Sequence, residues 1–404
     1  MFRSRQRGWI AGAVVALLAF LLLAAIGARQ SPEGAGGELA PGESEILHAR
    51  VVEVLEEGLV GEGALSQPYQ RLRVEILEGP DRGTEIEVEY GTLILTSEDR
   101  LFRPGDRVLV ERIRTAEGQD VFGISDYLRS GPLLWLTLLF VGATLLLSGW
   151  QGARSLLGMG LSLAIIVWFI VPQILAGRNP LFIAILGSVA MMAASLYLVY
   201  GWGDKTHVAV AGLFCSLVLT GLLAVWFVGW ARLSGFGAEE AGFLRIAGIQ
   251  IDPQGLLLAG IIIGTLGALD DIAVGQSSAI FELSKASPGL GWRALFRHGM
   301  VIGRDHIAAM VNTLLLAYVG AALPLVLLFS VYAESLGVTL NREIIAEEVV
   351  RTLVGSLGLL AGVPLTSLVA ALAARRRSGR GQRGREGAPG PVHDSPSPGS
   401  ELSP

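Results

Sequence analysis

The chain has 404 residues, of which 51% are hydrophobic and 17% charged, with a formal net charge of −5 and a mean hydropathy of +0.55. Soluble domains carry about 25% charged residues, so this composition argues against an ordinary soluble protein and predicts a membrane protein. The single cysteine, Cys215, excludes an intrachain disulfide and a cysteine-based metal site.

A transmembrane helix needs about 20 mostly apolar residues, and eight segments of the chain meet that requirement. They lie at residues 9–28, 132–149, 156–176, 180–201, 207–230, 253–271, 306–332 and 353–374. Pro324 predicts a kink in the seventh segment. Lys and Arg are concentrated in the connections on one side, which predicts that both termini are cytoplasmic. Residues 1–28 are interpreted as an uncleaved anchor, since their apolar run is longer than that of a usual signal peptide.

Residues 29–45 are rich in Pro, Gly and Glu and predict a flexible linker. In residues 46–129 the pattern changes to an alternation of apolar and polar residues in five short runs separated by turn signals. Such runs are typical of a small closed barrel of the OB or SH3-like type. Because this domain follows the first helix, we expect it outside the cytoplasm. Its acidic surplus and few aromatic residues argue against nucleic acid as a partner, whereas protein docking, gating and simple structural support all remain open.

Residues 131–374 are predicted to form a membrane domain of seven helices, and residues 375–404 a disordered, basic cytoplasmic tail near anionic headgroups. Within the membrane domain, "LNREIIAEEVVRTL" at residues 340–353 predicts a short amphipathic helix at the interface, capped by Asn341. The predicted fold is therefore an α-helical membrane bundle of about eight transmembrane helices. A small extracytoplasmic all-β domain lies between the first and second of them.

The first polar cluster is "GALDDIAVGQSSAIFEL" at residues 267–283. The preceding Asp252-Pro253 pair predicts a helix start, so Asp270 would lie about 26 Å along the helix, near the far edge of a hydrocarbon core about 30 Å thick. Carboxylates at a helix C-terminal end oppose the helix dipole, so a helix exit alone does not explain the Asp270–Asp271 pair.

If the same helix continues, Asp271, Ser278 and Glu282 share one face. That face could line a polar cavity, belong to a re-entrant segment, or lie on the membrane surface. The sequence leaves these alternatives open for residues 272–284.

The second polar cluster is "IGRDHIAAMVNTLLLAY" at residues 302–318. Asp305 and Asn312 are seven residues apart on one helix face, and His306 and Thr313 form a neighbouring pair. We expect both clusters to meet on the cytoplasmic side and to bind a ligand or ion. The candidate site residues are Asp270, Asp271, Gln276, Ser278, Glu282, Arg304, Asp305, His306, Asn312 and Thr313.

The stretches "GTLGALDDIAVGQSSAIFEL" and "GRDHIAAMVNTLLLAYVGAALPLVLLF" resemble the paired signature of the YibE/YibF-like family of bacterial membrane proteins. The resemblance implies a bacterial plasma (inner) membrane location. Ala273 departs from the expected pattern, which has Thr there, so the role of that position is open. The family motifs carry onto Asp271, Gln276, Glu282, Gly303, Asp305, Asn312 and Thr313. The resemblance implies no defined substrate or cofactor.

Three functions are consistent with the sequence. The favoured one is a permease with a carboxylate-lined, cytoplasm-facing site for a small ion or solute, coupled to protons or cations. The second is a membrane-anchored scaffold or signalling protein that binds a partner through its extracytoplasmic domain. The third is an intramembrane metal-dependent enzyme with Asp271, Glu282, Asp305 and His306 as ligands. Nucleotide-binding, zinc-protease and hydrolase motifs are absent from the sequence, so no catalytic residue is assigned. Cofactor, metal, coupling ion and oligomeric state remain unassigned.

Overall fold

The computed structural model describes residues 44–61, 66–92, 101–115, 118–237, 239–331 and 335–386. The described residues fall into two compact units that divide after Ala153. The predicted anchor at residues 1–28 and nearly all of the linker at residues 29–45 lie outside the described part of the chain.

The first unit contains a closed five-stranded barrel with the strand order β1-β2-β3-β5-β4. Strand β1 pairs antiparallel with both β2 and β4, while β3 and β5 meet in parallel at Glu89 and Gly123. The predicted five-stranded barrel is thus confirmed. Its strands are β1 (Ser44–Val60), β2 (Gln67–Ile76), β3 (Glu85–Tyr90), β4 (Arg107–Arg114) and β5 (Asp120–Tyr127).

The alternating sequence pattern sorts the side chains of the barrel into an apolar inside and a charged outside. The buried core includes Val74, Val88 and Val108. The amide of the buried Gln70 accepts a hydrogen bond from the Phe102 N–H at 2.8 Å and donates to the Phe102 carbonyl at 3.1 Å. This amide satisfies two backbone groups that no strand pairs, so it fixes the segment at Phe102 to the barrel.

The membrane part is built from ten helices within the described residues. They are α1 (Ser130–Ile165), α2 (Val171–Leu175), α3 (Pro180–Tyr200), α4 (Asp204–Trp230), α5 (Glu239–Ile246), α6 (Pro253–Ala286), α7 (Trp292–Ala321), α8 (Leu323–Val331), α9 (Leu336–Asn341) and α10 (Glu343–Glu386), with a π-helical turn at Ile166–Ile170 between α1 and α2. The break between α7 and α8 falls next to Pro324, as predicted.

Six helical runs in the described residues are long and apolar enough to cross a membrane. They are Ser130–Leu175, Pro180–Tyr200, Asp204–Trp230, Pro253–Ala286, Trp292–Ala321 and Glu343–Arg375. The predicted membrane helical bundle is thus confirmed as an architecture. The first run has 46 residues, about 69 Å of helix and twice the length of one crossing. Gly149, with a φ of 54°, interrupts it. The predicted span 132–149 falls within it, and the predicted span 156–176 does so except for its last residue.

Two local predictions near the C-terminus are wrong. Residues 340–353 do not form a separate interfacial helix: Asn341 ends α9, and Glu343 begins α10, which runs without interruption to Glu386. No helix-breaking residue separates the amphipathic stretch from the apolar one, so the helix propagates through both. For the same reason the beginning of the predicted disordered tail, residues 375–386, is helical, since arginines with high helix propensity follow the apolar run directly. Residues 387–404 lie outside the described part.

Helices α4, α6 and α10 form the centre of the second unit. Helix α10 packs against α4, α6 and α7, and α6 packs in addition against α3. The contacts are close because glycines on one helix lie against hydroxyl side chains on the next: a methyl group at Gly358 of α10 would overlap Thr220 of α4, and one at Gly212 of α4 would overlap Thr366 of α10. The Thr220 hydroxyl donates to the Ser216 carbonyl of its own helix at 2.8 Å. The central contacts are therefore close-packed and leave the Thr220 hydroxyl satisfied within its helix.

Gly358→Ala is expected to lower the thermal stability of the full-length protein, because the added methyl group overlaps Thr220 and overpacking costs about 1–3 kcal/mol. Thermal denaturation of the detergent-purified protein measures the change. The control is Gly260→Ala on α6, where a methyl group meets no atom within 4 Å. That variant should be neutral or slightly stabilising, since Ala is favoured over Gly in helices by about 1 kcal/mol. Equal losses in both variants would contradict the close contact.

Candidate functional site

The Asp270–Asp271 pair lies in the second half of α6, which is a single helix from Pro253 to Ala286. The predicted start at Asp252-Pro253 is correct, although the Asp252 side chain makes no capping hydrogen bond. The 34 residues of the helix extend over about 51 Å, well beyond the roughly 30 Å of a hydrocarbon core. Residues 272–284 therefore continue α6 and form neither a re-entrant segment nor a separate surface helix.

The two faces of α6 differ in this region. Asp271 and Glu282 are exposed and Ser278 is partly exposed, whereas Gln276 and Ser277 are buried against neighbouring helices. The polar stripe predicted from the sequence is therefore a real face of the helix. Within the described residues it points away from the helices packed around α6, except that Glu282 reaches Lys205 of α4.

Asp270 occupies an intermediate position between these faces. Its side chain is partly buried, and its Oδ1 atom is fully covered without a hydrogen-bond partner among the described residues. Tyr200, at the end of α3, is close enough to interact electrostatically with both Asp270 and Asp271. Removing a charged carboxylate from water without a partner is costly, and a bound cation or proton removes that cost. This oxygen is therefore the group on α6 that most needs a ligand.

Glu282 has the opposite environment, because lysines from two places in the chain neutralise it. Its Oε1 accepts from the ammonium group of Lys205, in the first turn of α4, and from that of Lys285 at 3.1 Å. The chain contains only these two lysines, against a much larger number of arginines. Sequence reasoning missed Lys205 and Tyr200 as members of the site. The rarity of lysine was the one signal that could have indicated Lys205.

Gln276 joins three helices. In the orientation that satisfies every neighbour, its Nε2 donates to the Gly299 carbonyl and to Ser367 Oγ, and its Oε1 accepts from the Gly303 N–H, each at 3.2 Å. Gly299 and Gly303 belong to α7 and Ser367 to α10. The amide is 3% exposed, so in this arrangement its contacts are those of helix packing.

The polar residues of α7 lie at the same end of the bundle as the acids of α6. Gly303 lies against Gln276, and the Tyr318 hydroxyl lies 3.1 Å from where a Cβ of Gly264 would be. The two helices therefore run antiparallel in a register that places Asn312 at about the height of Asp270.

The faces of α7 separate its polar residues. Leu295, Gly299 and Gly303 form its buried face, and at 100° per residue Asp305 and Asn312 lie about 180–200° around the helix from Gly303. Both are exposed, as are Arg304 and Thr313, whose hydroxyl donates to the Ala309 carbonyl of its own helix at 3.0 Å. His306 is partly buried, and its Nε2 is covered without a partner among the described residues. The structure thus brings the two clusters to one height but turns Asp305 and Asn312 away from the packed interior.

Among the residues that the structure describes, no group of three or more His, Cys, Asp or Glu side chains could hold a metal ion. The four ligands considered from the sequence, Asp271, Glu282, Asp305 and His306, do not form such a group.

Comparison with known proteins identifies one family. A family model described as YibE/F-like protein matches residues 136–376, more than half of the chain. No curated protein and no solved structure matches the chain. The match spans α6 and α7 and with them every candidate site residue, so the resemblance inferred from the two quoted stretches is confirmed.

Gln276→Ala is expected to destabilise the protein, because it removes buried volume and leaves the Gly299 carbonyl, the Gly303 N–H and Ser367 with fewer partners. Large-to-small core substitutions cost about 2–5 kcal/mol. Thermal denaturation of the purified protein measures the loss. The control is Ser278→Ala two positions along α6, at a partly exposed site, where the change should stay within about 0.5 kcal/mol. A stable Gln276→Ala protein would show that the amide does not hold the helices together.

Proposed function

The chain belongs to the YibE/F-like family, and on this premise we propose that it is a permease whose ion-binding site is centred on Asp270 and Asp271. In this proposal the two carboxylates bind a proton or a small cation that is coupled to movement of a solute. Ser278 and Glu282, on the exposed face of the same helix, form the route between this site and the cytoplasm.

The observation that carries the proposal is the covered Oδ1 atom of Asp270, which has no hydrogen-bond partner in the described part of the chain and lies in a helix long and apolar enough to span a membrane. Ionisable groups inside membrane helices are costly, and they commonly mark ion pathways and proton relays. Asp271 is exposed beside it, so the pair joins a desolvated carboxylate to an accessible one. A cation that reaches Asp271 has a short path to Asp270.

The surroundings of the pair support the same role. Tyr200 supplies a phenol within electrostatic range of both carboxylates, and a phenol can donate to an anion or pass on a proton. Glu282 and its two lysines lie about 17 Å further along α6 from Asp271. Two ammonium groups beside one carboxylate leave a local net charge of +1, so a cation is not trapped at Glu282.

The proposed orientation places both termini in the cytoplasm and the barrel outside the plasma membrane of a bacterium. This assignment rests on the distribution of basic residues in the short connections. The acidic end of α6 then faces the cytoplasm.

The first test is a thermal-shift screen of the purified protein with Na⁺, K⁺, Mg²⁺, Ca²⁺ and Mn²⁺ and with steps of pH. A ligand at 100 times its Kd stabilises the native state by about 2.7 kcal/mol. The expected result is a shift with one cation or with pH in the wild type that disappears in the Asp270→Asn/Asp271→Asn double variant. That variant keeps the side-chain volumes while removing both charges.

The matched control is Asp252→Asn, which changes a carboxylate at the opposite end of the same helix and should leave the shift intact. Equal shifts in all three proteins would place the cation elsewhere and contradict the proposal. Flat profiles for every cation and pH would contradict it as well, and would favour a scaffold that acts through the barrel.

The second test concerns orientation, with single cysteines in a Cys215→Ala background. Ser66→Cys lies on the barrel and Ser287→Cys lies just after α6, and both positions are exposed. A membrane-impermeant maleimide should label Ser66→Cys in intact cells and Ser287→Cys only after the membrane is opened. The reverse pattern would invert the proposed topology.

A further inference from the structure

The outer face of α7 carries polar side chains among exposed apolar ones, and no other part of the chain that the structure describes covers them. Arg304, Asp305 and Asn312 are exposed, and none of them has a hydrogen bond or an ion pair within the described part of the chain. Arg304 and Asp305 are adjacent in sequence, and adjacent residues on a helix do not face each other. The Arg304 guanidinium group and the Asp305 carboxylate therefore do not pair with each other.

The position of these residues makes the exposure significant. Helix α7 is one of the runs long and apolar enough to span a membrane, and Asn312 lies in its apolar half. Charged and amide side chains in membrane helices almost always face protein or a water-filled cavity. We therefore expect the outer face of α7 to contact a partner that has complementary polar groups.

Two of the chain's other apolar segments do not provide these groups. Residues 9–28 and 132–149 contain no charged residue and no Asn or Gln, so neither can pair with a carboxylate, a guanidinium group or a carboxamide. A second copy of the same face provides all three. Around a two-fold axis, Arg304 of each copy meets Asp305 of the other, and the two Asn312 carboxamides can donate to and accept from each other.

We propose that the outer face of α7, formed by Asp305, Asn312 and Leu316 with Arg304 at its edge, binds the same face of a second copy of this chain, so that the protein is a two-fold dimer in the membrane. This inference goes beyond the proposed function and does not depend on it, because cation binding at Asp270 and dimerisation through α7 are measured separately.

The first experiment is disulfide crosslinking of the full-length chain in native membranes, in a Cys215→Ala background. Leu316→Cys lies on the outer face of α7, and Leu222→Cys on α4 is the matched control, since the two leucines are 59% and 64% exposed. Under a mild oxidant, Leu316→Cys should migrate as a dimer and Leu222→Cys as a monomer. A monomeric Leu316→Cys protein would mean that water, lipid or another segment covers this face and would overturn the proposal. Equal crosslinking at both positions would report random collision and would overturn it too.

The second experiment uses charge reversal and tests the pairing itself. Arg304→Asp and Asp305→Arg, each expressed alone, place like charges against one another across the axis and should be monomeric in light scattering of the purified protein. Co-expressed with different affinity tags, the two variants have complementary faces and should co-purify as a heterodimer. Recovery of the mixed dimer also shows that both variants fold. Dimers of either single variant, or failure of the mixture to associate while both chains remain soluble and monodisperse, would overturn the proposal.

Discussion

The close approach of α4 and α10 is the contact on which the rest of the membrane unit depends. Lipid chains are as apolar as leucine side chains, so helices in a bilayer gain little from burying apolar surface and are stabilised by dense packing. Gly358 against Thr220 and Gly212 against Thr366 supply that density. Helix α10 is thereby fixed at the centre, where it also contacts α6 and α7. The polar end of α6 keeps its position because α10 does.

The polar side chains of α6 divide into two kinds within less than three turns of helix. Gln276 is buried and bound to backbone and hydroxyl groups of two other helices, so its polarity is used for assembly. Asp270 has a covered oxygen that no described residue pairs with, and Asp271 is exposed. In the sequence these three residues look alike, as polar side chains in an apolar helix. Only the hydrogen-bond partners seen in the structure distinguish a packing role from a binding role.

The structural features that could be predicted are those set by residues close together in the sequence. The alternation in residues 46–129 depends only on neighbouring residues and predicted all five strands, and Asp252-Pro253 predicted the start of α6. Contacts between distant residues were not predictable: Lys205 and Glu282 are 77 positions apart, and the orientation of Asp305 and Asn312 depends on which side of α7 meets α10. The prediction of a separate helix at residues 340–353 was also wrong. The amphipathic pattern there continues into an apolar one without a change of backbone conformation, so the sequence does not show that both belong to α10. For the ten proposed site residues, the sequence identified the side chains and their height but not the direction in which they point.

The lysine pair at Glu282 has a consequence for the chemistry of the whole surface. All other basic side chains, apart from histidines, are arginines, whose guanidinium groups remain charged and react poorly as nucleophiles. The only primary amines of the side chains are therefore concentrated around one carboxylate at the end of α6. Acylation of these two amines would change the local charge by two units without altering any other side chain. Reagents that modify lysine side chains would therefore react at one place in the protein, beside the proposed ion route.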